Sequence, residues 1–325
     1  MSGIFHAGEV EVQRRAGVER MASRIGASIH DIIPPVAEEF LARRRWVVLA
    51  TTDAAGRPWA SVLSGAPGFI SVVQGGKSGN DGSNPPATPA AVRLDATPAP
   101  GDPLAANLGT TEFVGLLAID LATRRRIRIN GRPEPAGAGG ILVRADQVYA
   151  NCPKYIQRRA ESGGVSEALA AEVNRSSALS VAHRRWIAEA DTFFIATVNP
   201  GEGADASHRG GLPGFVRLEG DRLIWPDYQG NMMFNTLGNI VAYPRAGLLF
   251  PDFATGGTLQ VTGRASIDWD PAHASNVPGA ERLVQLTVEE VVEIRAALPD
   301  RFELLDYSPH LPEPAGRRNG GKAEG

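Results

Sequence analysis

The chain of 325 residues has one cysteine, Cys152, so an internal disulfide is impossible. A cysteine-ligated iron–sulfur cluster or structural zinc site is excluded with it, because each needs several thiolates. A charge imbalance is missing too. The 33 Lys and Arg against 36 Asp and Glu leave a net charge of −3. No overall basic field is present to attract nucleic acid or a membrane surface. No apolar run approaches membrane-spanning length. The opening stretch MSGIFHAGEVEVQRRAG lacks the apolar core of a signal peptide. The expectation is a soluble, cytoplasmic protein with neither nucleic acid nor membrane as partner. Metal-ligand spacing is absent, and His6 with Glu9 reads as a surface pair.

What the sequence has is a repeat. Residues 193–216, FFIATVNPGEGADASHRGGLPGFV, fall without a gap on residues 47–70, VVLATTDAAGRPWASVLSGAPGFI, at a shift of 146. The identities include Ala50/Ala196, Ala60/Ala206, Ser61/Ser207, Gly65/Gly211, Gly68/Gly214 and Phe69/Phe215. A second block repeats at a shift of 132, with Gly115-Leu-Leu-Ala-Ile-Asp120 on Gly247-Leu-Leu-Phe-Pro-Asp252 and Gly131-Arg132 on Gly263-Arg264. So long a period is too large for a solenoid. It implies two copies of one domain, packed about a pseudo-twofold axis as a homodimer would be. Length and a 43% hydrophobic content fit two ordinary cores.

Periodicity and turn chemistry predict the elements. Residues 8–28 read as a surface helix, and Pro34-Pro35 opens another through about Arg44, with Val36, Phe40 and Leu41 on one side. Strands are predicted at 47–52, 59–63, 114–120, 125–130 and 141–149. Residues 74–103, rich in Gly, Ser, Pro and Ala, read as a long flexible insertion. A helix is expected with Pro153 in its first turn, and a longer one over 166–189 capped by Ser166. The second copy reads as strands at 193–198 and 205–209, a hairpin at Glu219-Gly220-Asp221, a helix at 232–241 and strands at 245–250 and 258–268. Thr287–Leu298 reads as an amphipathic helix and the last dozen residues as disordered.

The fold class that follows is mainly β with flanking helices. Two tandem six-stranded β-barrels pack as a pseudo-dimer, since curling six strands into a barrel removes exposed edges. The domain division is a helical segment at 1–36, a first barrel at 37–150, a helical linker at 151–190, a second barrel at 191–270, and a helical segment with tail at 271–325.

The second copy carries the richer chemistry. Ser207-His-Arg-Gly-Gly211 lies on one strand, Trp225-Pro-Asp-Tyr-Gln-Gly-Asn231 ends the hairpin, and Asn231 is read as the start of a helix. Glycine lets backbone approach a ligand, helix N-terminal amides favour an anion, and Arg209 offers a fork matched to phosphate. Ser207 and Asn231 add neutral donors. In the first copy Arg209 becomes Leu63 and His208 becomes Val62, and the hairpin and Gly-Asn pair give way to the insertion. Arg124-Arg-Arg-Ile-Arg-Ile-Asn-Gly131 reads as a solvated strand face with Ile127 and Ile129 inside.

This order of elements, with Pro244-Arg-Ala-Gly-Leu-Leu-Phe250 and Thr258-Leu-Gln-Val-Thr-Gly263, resembles the pyridoxamine 5′-phosphate oxidase superfamily of FMN-binding split barrels, in particular its tandem two-barrel members. The resemblance implies an FMN between the barrels. Its phosphate would lie at Arg209 and Asn231, and its ring along the backbone of Arg209, Gly210 and Gly211. Trp225, Pro226 and Asp227 would contact it from the hairpin, and Thr258 and Gln260 would lie by the ring. Lys154 and Tyr155 could reach across from the first copy. The C-terminal stretch Leu305–Leu311 lacks the Arg and His that the true oxidase brings to its substrate, so a vitamin B6 oxidase is not expected. The implied function is an FMN-dependent oxidoreductase with one flavin per chain, a small-molecule substrate and a nicotinamide nucleotide as electron donor. The alternatives are a non-catalytic flavin-storing or sensing protein, and a deazaflavin in place of FMN. A monomer with an internal pseudo-dimer and a homodimer both remain open.

Overall fold

The computed structural model describes residues 4–75, 90–137, 139–150, 152–163 and 172–313. Three helices lead: α1 (Ala7–Arg15), α2 (Glu19–Gly26) and α3 (Pro35–Ala42). The first sheet is built from β1 (Trp46–Thr52), β2 (Pro58–Ser64), β3 (Ile70–Val73), β4 (Ala91–Leu94), β5 (Val114–Asp120), β6 (Arg125–Pro135) and β7 (Ile141–Ala150), with α4 (Pro103–Asn107) between β4 and β5. Two short strands follow, β8 (Arg158–Glu161) and β9 (Val173–Ser176), then α5 (Val181–Glu189). The second sheet takes β10 (Thr192–Asn199), β11 (Gly203–Gly210), β12 (Arg217–Glu219), β13 (Arg222–Tyr228), β14 (Arg245–Pro251), β15 (Thr258–Asp268) and β16 (Ala280–Ile294). Inserted in it are α6 (Asn235–Ala242) and α7 (Pro271–Ser275), and β17 (Phe302–Asp306) closes the chain by pairing with β8.

The two sheets share one strand order, β2-β1-β5-β6-β7-β4-β3 and β11-β10-β14-β15-β16-β13-β12, with β9 added to β16. Every adjacent pair is antiparallel. Alternation along a strand sends successive side chains to opposite faces. Val47 and Leu49 of β1 enter the first sheet's own core, while Val48 and Ala50 meet Phe194, Ala196, Ala206 and Leu249 in a separate cluster between the sheets. Burial on both faces explains why β1 and β10 are continuous apolar runs.

The repeated residues each have a physical reason. Gly68 and Gly214 have φ of 87° and 88°, a left-handed conformation that glycine adopts without strain. The chain then folds Phe69 and Phe215 back against Gly65 and Gly211, where a Cβ would collide with the phenyl ring. Asp120 and Asp252 both accept backbone N–H groups two and three residues on, closing equivalent turns. Gly131 and Gly263 each sit at a β-bulge, where a Cβ would overlap the carbonyl of Arg144 and of Thr287. Gly115 faces the backbone of Asp205 and Ala206 at 2.6–2.8 Å from an added Cβ; Gly247 faces Pro58 and Trp59 at 2.4–2.8 Å. Since Asp205 and Ala206 align with Trp59 and Ala60, the two contacts are reciprocal.

Several expectations are overturned. Each sheet has seven strands on its main path, not six. Thr287–Leu298 is not a helix: residues 287–294 belong to β16, which lies between β13 and β15. The bulge explains the misreading. Val284, Leu286 and Val288 alternate into the core, Glu289 is the extra residue, and the next core residue is Val291, so the apolar spacing imitates a helix. The run of β-branched residues favoured a strand throughout. The second sheet therefore runs well past residue 270, and among the described residues of 271–325 none is helical beyond α7. No helix follows Pro153; that segment turns and enters β8. The 166–189 helix shortens to α5, capped by Ser180 and not Ser166, with β9 ahead of it; Ser166 itself lies outside the described residues. Within 74–103, Ala91–Leu94 is a buried strand, so β3 and β4 retain the hairpin that the first copy was expected to have lost. The stretch 76–89 and the last dozen residues lie outside the described residues. Residues 8–28 are two helices. The first is no surface helix: Gly8, Glu9, Val12 and Gln13 are buried against α6. On α3, Val36 points outward while Ala37 and Leu41 enter the core.

The reciprocal glycine contacts predict a stability effect. Gly115→Ala and Gly247→Ala must each force two backbones apart, and each should cost about 1–3 kcal/mol. Gly203→Ala on the same sheet meets open space and should be nearly neutral. Thermal unfolding of the three variants checks this; melting temperatures that match across all three would refute the close approach.

Candidate functional site

The repeat generates two equivalent places between the sheets. At each, one sheet contributes the first strand of its spatial order and the other its fourth. The first is formed by β11 and β6, the second by β2 and β15. A shift of 132 carries Arg126, Arg128 and Asn130 onto Thr258, Gln260 and Thr262. The same shift carries Phe234, the residue before α6, onto Asp102, the residue before α4. The two places have the same frame and opposite contents.

The β2/β15 place is packed shut. Gln260 Nε2 donates to Ala60 O at 2.9 Å, Ser61 Oγ at 3.0 Å and Asp102 Oδ2 at 3.1 Å. Ser61 donates to Asp102 Oδ1 at 2.6 Å, and Thr262 donates to Pro58 O at 2.8 Å. Ser61, Thr258, Gln260 and Thr262 are wholly buried. Burial lifts the Asp102 carboxyl to about 6, against its hydrogen bonds from Ser61 and the Leu104 amide.

The β11/β6 place is an open, basic cleft. Arg126, Arg128, His208 and Arg209 line it, with Lys154 and Tyr155 from the segment after β7, Pro226 and Asp227 from β13, and Asn231 to Leu237 around the start of α6. One wall is a buried carboxylate network. Asp205 Oδ1 accepts from Arg128 Nη1 at 3.1 Å and from the Tyr149 hydroxyl at 3.2 Å; Oδ2 accepts from Ser207 Oγ at 2.6 Å and Thr236 Oγ1 at 3.2 Å. Burial works against the Arg128 charge, but Asp205 and Tyr149 outweigh it and hold its pKa up. Asp227 pairs with Arg282 at 3.4 Å. Arg126, Arg209 and Lys154 have no carboxylate within ion-pair distance among the described residues. Arg126 donates instead to Cys152 O at 2.8 Å and approaches His208 Nδ1 at 3.2 Å; Arg209 donates to His208 O at 3.1 Å.

Burial, then the neighbouring Arg128 and Arg209, push Arg126 down to about 9. Burial and the surrounding arginines hold His208 neutral. With Arg126 donating to Nδ1, the His208 proton sits on Nε2, which has no partner; nor do Arg126 Nε and Arg128 Nε. Each is a buried donor, so the cleft suits a ligand rich in acceptors and negative charge. Backbone helps: a Cβ at Gly210 would lie 2.0 Å from Tyr155 O, so glycine admits the crossing segment. Tyr155 takes a positive φ of 67°, packs its ring 5.1 Å from Tyr228 and donates to Gln229 O at 3.0 Å.

The structure thus gathers Arg209, Gly210, Pro226, Asp227, Asn231, Lys154 and Tyr155 at one cleft. It places the rest elsewhere. Ser207 lies behind the wall, bonded to Asp205. Gly211 forms the turn against Phe215. Trp225 is a core residue, edge-on to Phe193 at 5.4 Å. Thr258 and Gln260 belong to the closed place. Asn231 does not start the helix; its Oδ1 accepts from the Met233 amide, and α6 begins at Asn235 after a left-handed Phe234. From the stretch Arg124–Gly131, expected as a solvated face, Arg126 and Arg128 instead form a wall of the cleft, with Arg128 buried, while Arg125 stays exposed. The repeat itself held the missing signal. Because the sheets pack reciprocally, the strand facing Arg209 comes from the other copy, 132 residues before Thr258 and Gln260.

The N-terminal helix braces this cleft. Glu9 accepts from the Asn235 side chain, Gln13 donates to Met233 O, and Gly8 allows α6 to approach at Gly238. His6 is no surface residue: it caps α1 and bonds Asn239 at 2.9 Å.

Residues 179–302 match the profile of the family described as pyridoxamine 5′-phosphate oxidase. The second sheet belongs to the pyridoxamine 5′-phosphate oxidase-like superfamily. No curated protein matches the chain. Among solved structures, HupZ from Group A Streptococcus is 16% identical, covering 34% of this chain and 90% of its own, with a TM-score of 0.28. General Stress Protein 26 from Bacillus anthracis is 14% identical, covering 37% and 92%, TM-score 0.26. A Mycobacterium smegmatis FAD binding protein is 13% identical, covering 38% and 98%, TM-score 0.25. At these values the likenesses carry no functional weight. The oxidase-like match spans less than half of the chain, and the cleft draws Arg126, Arg128, Lys154 and Tyr155 from outside it. No helix among the described residues is long and apolar enough to cross a membrane.

The brace predicts a pH effect. Burial, opposed by the hydrogen bonds from His6 N and Asn235, raises Glu9 to about 7 from an ordinary 4.5. Between those values the folded chain keeps a proton that the unfolded chain releases. Stability should therefore fall as pH rises from about 4.5 to 7 and level off above, by up to roughly 3 kcal/mol at ~1.4 kcal/mol per unit. Glu9→Gln cannot ionise, so its stability relative to the native chain should rise from pH 5 to pH 8. Urea unfolding at both values tests it; a constant difference would show that Glu9 does not titrate there.

Proposed function

We propose that the two sheets are tandem split barrels packed as a pseudo-dimer, and that the chain binds one flavin mononucleotide in the β11/β6 cleft. The observation that carries this is the set of three cations, Arg126, Arg209 and Lys154, without carboxylate partners beside three orphaned donors. The superfamily match of the second sheet supports a flavin as the acceptor-rich anion. Arg209 and Arg126 would take the phosphate with the free amides that open α6. Gly210 and the Tyr155 segment would let the ring approach backbone. His208, held neutral with its proton on Nε2, would donate to a ring or ribityl oxygen.

The reaction class proposed is an FMN-dependent oxidoreductase acting on a small molecule. The flavin supplies hydride or electron transfer when bound; the protein supplies orientation, donors and exclusion of water. No side chain need act as general base. Tyr155 and Tyr228 wall one side of the cleft, and the Asp205 network fixes Arg128 against it. The closed β2/β15 place supports one ligand per chain rather than two.

Two outcomes are expected. Arg209→Ala and Arg126→Gln should each weaken FMN by roughly ten- to a hundredfold, the loss of a charge-assisted contact of about 1.5–3 kcal/mol. Riboflavin, which lacks the phosphate, should be affected far less. Flavin fluorescence titration of both ligands checks this, and equal losses would remove the phosphate from these arginines. Saturation should stop at one FMN per chain; two would mean that the Gln260–Asp102 cluster opens.

A further inference from the structure

Next to the cleft lies a second groove that the flavin reading does not use. It runs between α3, the chain before it and the ends of β6 and β7, and Arg126 is a wall of both. Its floor is apolar: Phe40, Ile127, Val148 and Pro153. Ile32 and Val36 stand on its rim, 64% and 61% exposed, the two most exposed large apolar side chains there. Large apolar groups left in water beside a concave apolar floor mark a binding surface. The charges around it are of one sign. Arg124, Arg125 and Arg126 line it, and no Asp or Glu does. Arg124 is engaged by Asp306 and the carbonyl of Ile156. Arg125 lies over the Phe40 ring with its charge 5.6 Å from the centroid and has no carboxylate partner among the described residues.

We propose that this groove binds an amphipathic anion, its apolar body along Val36, Ile32 and Phe40 and its carboxylate, sulfate or phosphate on Arg125. Charge complementarity selects this occupant. An apolar chain alone would leave Arg125 without a counter-charge, and a small anion alone would leave the rim uncovered. A cationic amphiphile would meet only like charge. Binding here stands apart from the flavin reading, because no flavin is needed to fill the groove.

The test uses the full chain without added flavin. Decanoate is titrated calorimetrically, with butyrate and decylammonium as comparators. Decanoate should bind at one site and at least about tenfold more tightly than either, since butyrate lacks most of the methylenes and decylammonium carries the wrong sign. Val36→Asp, at an exposed position where folding is not at stake, and Arg125→Gln should each weaken decanoate by about tenfold or more. FMN affinity, measured in parallel, should be unchanged in both. Equal binding of decanoate and decylammonium, or native decanoate affinity in both variants, would overturn the proposal. Light scattering supplies the remaining arm. Concentration-dependent dimerisation that Val36→Asp abolishes, with no decanoate binding, would assign the groove to a second copy of the chain. Loss of FMN binding with decanoate binding intact would count against the flavin site alone.

Discussion

The structure depends on two backbones meeting two others without side chains between them. Gly115 brings β5 onto β11, and Gly247 brings β14 onto β2. At that distance the small residues Ala50, Ala60, Ala196 and Ala206 fill the remaining space, and the larger Phe194, Leu117 and Leu249 close its ends. A Cβ at either glycine would wedge the sheets apart. Spreading them would open the apolar cluster and pull β6 away from β11. The cleft is therefore as precise as this contact allows, because Arg126 and Arg209 reach it from different sheets.

The same contact produces two places, and a few substitutions decide their fate. Arg126 and Arg128 in one are Thr258 and Gln260 in the other; His208 and Arg209 are Val62 and Leu63; Phe234 is Asp102. Gln260 can span to Asp102 and Ser61 because it is neutral and long enough to bond both, and the result is closed. Arg128 cannot close its side. Its charge is matched by Asp205, but Arg126 meets like charge from Arg128 and Arg209 and has no carboxylate within ion-pair distance among the described residues. One place keeps its charges and stays open, and the other is packed into the core.

Much of this was legible in the sequence. The repeat marked the glycines, the Asx turns and the doubly buried strands, because each of those constraints acts on one residue and its immediate neighbours. Three things were hidden. The bulge at Glu289 broke the two-residue alternation and made a strand look helical. Trp225 is a ligand contact only by the resemblance, whereas its side chain packs into the core of the second sheet and its neighbour Pro226 faces the cleft. Arg126 and Arg128 looked solvated because alternation places them opposite Ile127 and Ile129, and only the partner sheet says that this opposite face is also inside. Each sheet keeps its own strands, but the strand packed against Arg209 belongs to the other copy, and spacing within one copy does not reveal it.

The charges in the cleft carry a cost that the rest of the fold must offset. Arg126 is buried among cations strongly enough to lose part of its basicity, and burial with the surrounding arginines pushes His208 well below its usual range. Such a cluster opposes folding in proportion to its burial. It is held by walls that do not depend on it: the Asp205 network with Tyr149, Ser207 and Thr236, the α1 brace through Glu9 and Gln13, and Tyr155 anchored by Ser308 and Gln229. Each of these walls uses neutral donors or a paired carboxylate, so none neutralises the three free cations. The fold thus spends part of its stability on holding positive charge without an ion-pair carboxylate in one place, a cost that any acceptor-rich anion entering the cleft would offset.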